Sequence, residues 1–61
     1  MMIKYSKNDI VVILTNKYES EGIPLYSEGI VSAVWEHSCL VEIKIDDKML
    51  IAHPDEINKI N

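Results

Sequence analysis

Leu40-Val41-Glu42-Ile43-Lys44-Ile45 alternates apolar and charged side chains without a break, with Val41, Ile43 and Ile45 on one face and Glu42, Lys44 and then Asp46 on the other. A period of two marks a strand with one face on a core and the other in water. The polar stretches on either side, Glu36-His37-Ser38 and Asp46-Asp47-Lys48, are turn material, so the neighbouring segments are expected to pair with this strand as hairpins. Upstream, Ile30-Val31-Ser32-Ala33-Val34-Trp35 has strand character after Gly29. Downstream, Met49-Leu50-Ile51-Ala52-His53 does too, and period alone leaves open which of its two faces is buried. Further upstream, Ile10-Val11-Val12-Ile13-Leu14-Thr15 is β-branched and too short for an ordinary helix, which predicts a strand partly covered on both sides.

Residues 16–29 hold both glycines, Gly22 and Gly29, with Pro24 and three glutamates, and predict a long first loop. Ile23, Leu25 and Tyr26 within it are expected to fold back onto the body, because a loop that long must be tethered. Near the other end, Pro54 followed by Asp55-Glu56 predicts a short 3₁₀ turn. Beyond it Ile57 and Ile60, three apart, are expected on one side of the tail, closing the core. Strands near 9–15, 29–36, 39–46 and 48–53 with a short terminal piece make an all-β, five-stranded antiparallel arrangement, which closure into a small barrel would free of exposed edges.

A chain of 61 residues has room for one domain, 1–61, with an ordered core expected over about 8–60. Its 48% hydrophobic and 26% charged residues are those of a folded protein. Cys39 is the single cysteine, so an intrachain disulfide is excluded and a reducing compartment is expected. The first residues carry no signal-peptide pattern and no run is long enough to span a membrane, so the expected location is cytoplasmic, without membrane attachment. Six basic against ten acidic residues, a net charge of −4, disfavour nucleic acid as a partner. A domain of this size also has little interior to spare for a catalytic cleft, and any site should be shallow or shared between subunits.

The order Asp9-Ile10-Val11-Val12-Ile13-Leu14, Glu21-Gly22-Ile23, Gly29-Ile30-Val31, Leu40-Val41-Glu42-Ile43 and Ile57-Asn58-Lys59-Ile60 resembles a group of short bacterial single-domain proteins of uncharacterised function with an SH3-like barrel. The similarity runs from Asp9 to Ile60 and implies that fold: five antiparallel strands, a long first loop and a short 3₁₀ turn near the C-terminus. It implies no reaction, cofactor or fixed partner. The Gly29-x-Val31 step also looks like the KOW motif of transcription and ribosomal factors. Ser27-Glu28 stand before the glycine where those nucleic-acid binders tend to be basic, so RNA binding is not carried over.

Chemistry-bearing residues are few. Cys39 with His37 or His53 is the one nucleophile pair, but the first pair spans a turn and no oxyanion loop accompanies it. His37, Cys39 and His53 with Asp46, Asp47 or Asp55 match no standard zinc spacing. Neither an enzyme nor a metal or other cofactor is therefore expected. Tyr18, Tyr26 and Trp35 are better binding material, since aromatics with a polar edge favour interfaces. With Glu19, Glu21 and Glu28 they form the candidate binding set, the loop and Trp35 making a groove, although Tyr26 could anchor the loop and Trp35 could cap the core. A non-enzymatic protein-interaction or regulatory module is the expected function. The alternative is an acidic inhibitor or immunity-type protein, presenting Glu19, Glu21, Glu28, Asp55 and Glu56 to a basic partner as a nucleic-acid mimic. Val12, Leu14, Ile30, Val34, Leu40, Met49 and Ile51 exceed what one small core can absorb, so a homodimer or a docked protein partner is expected.

Overall fold

The structure, a computed structural model, describes residues 3–61. Strands β1 (Ile10–Ile13), β2 (Glu28–Trp35), β3 (Leu40–Ile45), β4 (Lys48–Ala52) and β5 (Ile57–Lys59) form one antiparallel sheet in the order β4-β3-β2-β1-β5. The fold is all-β as expected; its helical content among the described residues is two 3₁₀ turns, Glu19–Glu21 and Pro54–Glu56. β4 and β5 are the edge strands, joined through the second turn.

Alternation decides which side chains go in. In β3, Val41, Ile43 and Ile45 are buried as their period requires, and the facing strands match them: Val31, Ile43 and Leu50 make one inner row, Val34, Val41 and Ala52 the next. The face of β4 left open by period is thereby fixed, with Leu50 and Ala52 inside and Met49 and Ile51 in solvent. Ile13 against Ile57 extends the core to the far edge.

β2 does not keep one phase. Gly29 and Val31 are buried before an irregularity at Ser32, and Val34 packs on the core after it. An extra residue in one strand reverses its faces beyond that point. Trp35, which strict alternation from Val31 would send inward, consequently points outward and is half exposed.

Three expectations are corrected. Ile57 is buried but Ile60 is exposed, because the tail is a strand and residues three apart on a strand lie on opposite faces. Of the loop residues, Ile23 folds in, whereas Leu25 and Tyr26 remain exposed; the anchor is Tyr18, only 8% accessible. The core also begins earlier than residue 8. Ile3 and Tyr5 are buried, the Tyr5 hydroxyl donating to the Ile57 carbonyl at 3.0 Å and the Ile3 N–H to Glu36 Oε2 at 3.2 Å.

Gly29 sets the spacing at the middle of the sheet. A Cβ there would lie 2.5 Å from Ile43 Cγ2, 2.6 Å from Ile45 Cγ1 and 2.9 Å from the Lys44 carbonyl oxygen. The last contact is with backbone and cannot swing away. Gly29→Ala should therefore cost about 1–3 kcal/mol in urea unfolding. A loss below about 0.5 kcal/mol, the scale of neutral surface changes, would show that the strands separate freely.

Candidate functional site

Side chains directly opposite one another on antiparallel strands share a face. Ile10 stands opposite Ile30, Ile30 opposite Lys44 and Lys44 opposite Met49, so one outward row crosses four strands. Ile60, whose N–H donates to the Ile10 carbonyl at 2.9 Å, continues it past β1. Ala33, Glu42 and Ile51 make the next outward row. The two rows are tied by Ser32, whose hydroxyl lies 2.9 Å from Glu42 Oε2 and 3.6 Å from Met49 Sδ. Met49 thus reaches across β3 towards β2, past Lys44, which stands between it and Ile30 in the row.

A shallow, open recess of about 290 Å³ lies on this face, lined by Ile10, Glu28, Gly29, Ile30, Lys44 and Asp46. Ile30 and Met49 are 50% and 56% exposed, and Ile51 and Ile60 are similar. With Ile10 they leave roughly 400–450 Å² of mostly apolar surface together, within the range of the largest apolar patch of an ordinary monomer, which is often functional. Among the described residues the ion pairs are Lys17 with Glu56 and Lys59 with Asp9, so Lys44 stands in the patch without an acidic partner.

The expected binding residues are distributed over the first loop and both ends of β2. Tyr26 is 67% exposed at the end of the loop, its N–H bonded to the Ile13 carbonyl, while Trp35 ends β2 opposite Leu40. Seven strand steps separate Glu28 from Trp35, roughly 20 Å. The loop thus leads into one end of β2, and Trp35 stands at the other. Glu19 and Glu21 are exposed on the first 3₁₀ turn, closed by Gly22 at φ 81, and Glu28 lines the recess. Ile10 and Ile60 were not in the expected set. The signal for Ile10 was present in β1, where Val11 and Ile13 take the core face and leave Ile10, Val12 and Leu14 on the other.

Tyr18 and Glu56 leave the binding set for the framework. The Glu56 carboxylate accepts the Tyr18 hydroxyl at 2.6 Å and the His53 N–H at 3.0 Å, and pairs with Lys17. Burial alone would raise its pKa. Hydrogen bonds from Lys17, Tyr18 and the His53 backbone outweigh that and hold the group at about 2, against a usual 4.5. Burial, and then the bond to Glu56, raises the Tyr18 phenol above its usual value. The acidic set proposed for a basic partner is thereby reduced to Glu19, Glu21, Glu28 and Asp55.

Cys39 is a free thiol in the β2–β3 turn with φ 54, and its sulfur lies 3.9 Å from the Glu36 carbonyl. Among the described residues no three His, Cys, Asp or Glu side chains gather as metal ligands. No helix of the described residues is long and apolar enough to cross a membrane. Comparison with protein-family models, curated proteins and solved structures finds no match for this chain.

The Glu56 cluster has a pH signature. Its folded pKa lies below the unfolded value, so its stabilisation is complete above about pH 4.5 and is lost as pH falls towards 2. Urea midpoints should drop across that window, and Glu56→Gln should remove most of the drop. Tyr18→Phe should cost about 1–2 kcal/mol at pH 7, the scale of a hydrogen bond to a charged group. An unchanged pH slope in Glu56→Gln would mean that another carboxylate carries it.

Proposed function

We propose that the chain is a non-enzymatic protein-interaction module whose contact surface is the outer sheet face centred on Ile30. The observation that carries this reading is the outward apolar row on neighbouring strands: Ile60, Ile10 and Ile30 adjoin across β1 and β2, and Met49 extends from β4 as far as Ser32. Large side chains exposed singly need no explanation, but a joined apolar surface rimmed by charge is the usual form of a docking site. Glu28 and Asp46 supply that rim, and Lys44 stands inside it. The recess is too shallow and open to enclose a small substrate, which favours an extended protein surface as ligand.

A photoreactive benzoylphenylalanine at position 30, introduced in cells of the source organism, should give protein adducts on irradiation. The same probe at Glu19 should give few. Adducts concentrated at position 19 and abolished by high salt would favour the acidic-inhibitor reading instead. An absence of protein adducts from position 30 would overturn the proposed surface.

A further inference from the structure

We infer that the occupant of this face is a second copy of the same chain, docked about a two-fold axis that passes beside Ile30. This rests on the interaction reading above and names its partner. A standard interface takes about 800 Å² from each partner, with roughly two-thirds of it apolar in homodimers. The total surface of the chain is 4106 Å², so such a contact would cover about a fifth of it. The apolar share needed is about 530 Å², of which Ile10, Ile30, Met49, Ile51 and Ile60 could supply at most about four-fifths, so the contact is of the small, reversible kind.

Charge selects the copy over an arbitrary apolar partner. Burying Lys44 against a neutral surface would strand an ammonium, which is costly. The recess carries the remedy itself, because Glu28 and Asp46 line it beside Lys44 and, among the described residues, form no ion pair within the chain. A two-fold contact is self-complementary: whatever residue of one copy meets a residue of the other, the reverse contact also forms. Ile30 then packs near Ile30, and each Lys44 meets Glu28 and Asp46 across the axis. The net charge of −4 on each copy opposes association most at low ionic strength, so about 0.15 M salt is the appropriate condition.

The test is analytical ultracentrifugation from micromolar to millimolar protein, with a charge exchange. The wild-type chain should dimerise. Lys44→Glu alone, and Glu28→Lys with Asp46→Lys in one chain, should each raise the dimer dissociation constant about tenfold or more, since each faces like charges in its own homodimer. Mixing the two variants should restore a heterodimer, because every cross-contact is then attractive. All three residues are exposed, but Asp46 holds φ 55 in the β3–β4 turn, which aspartate tolerates better than lysine; if that double variant or Lys44→Glu unfolds, Glu28→Lys alone replaces the first and Lys44→Gln, which still removes the charge and should weaken the dimer, the second. A wild-type monomer at millimolar concentration, or a mixture that stays monomeric while both variants are folded, overturns the inference. Position-30 adducts to other proteins together with a monomeric chain would overturn it too, and would leave the interaction reading intact.

Discussion

β2 changes its side-chain phase part-way, at Ser32 between Val31 and Ala33, while β3 beside it keeps one phase throughout, and the placement of the outer side chains depends on that difference. Before the change, Gly29 and Val31 face β1 and the loop side; after it, Val34 meets Val41 and Ala52. The reversal places Ser32 and Ala33 consecutively outward and carries Trp35 out with them. The approach of Ile43, Ile45 and the Lys44 carbonyl to Gly29 leaves no room for a Cβ.

With β2 fixed, the remaining segments have one way to close. The long loop returns under β1 because the Glu56 carboxylate gathers the Tyr18 hydroxyl, the Lys17 ammonium and the His53 N–H at one point. Charge-assisted bonds of this kind are stronger than neutral ones, and here they join residues 38 positions apart. The loop, the second 3₁₀ turn and β5 are therefore held by a shared polar contact as well as by Ile23 and Ile57. Tyr5 adds a second tie, from the N-terminal segment to the carbonyls of Pro54 and Ile57. Tyr26 pays locally for this route, since a non-glycine residue at φ 71 is held in a sparsely populated region by the hydrogen bonds of its turn.

Local pattern carried the strands because each is short, β-branched and bounded by turn residues. β3 was readable to its last buried side chain, and the terminal Pro54-Asp55-Glu56 turn followed from proline and acidic chemistry. What pattern could not carry was phase. The irregularity at Ser32 has no distinct composition, so the outward placement of Trp35 was not legible, and neither was its distance from the loop. Tyr18 looked like interface material because an aromatic with a polar edge suits both an interface and a buried hydrogen bond; only the position of Glu56 decides between them. Ile60 failed for a simpler reason, a helical spacing applied to a strand. The surplus of apolar residues was legible, though its assembly into one face depended on register, which is set across strands rather than along them.

Strand-forming tendency alone offers a modest account of that face, since isoleucine favours strands even where it is exposed. It would explain Ile10, Ile30 and Ile51 one at a time. It does not explain Met49, which is not among the residues that strands favour for themselves, nor why Met49 leans across β3 to meet Ser32. A flexible thioether laid over a neighbouring strand beside an unpaired lysine is poor material for stabilising an isolated sheet, because it leaves apolar area in water and a charge that makes no ion pair with the carboxylates beside it. Both features become favourable once a second surface covers them, the methionine by adapting its shape and the lysine by gaining its carboxylates. The inner face of the sheet is thus complete within one chain, and the outer face keeps the exposed apolar side chains on which the proposed dimer rests.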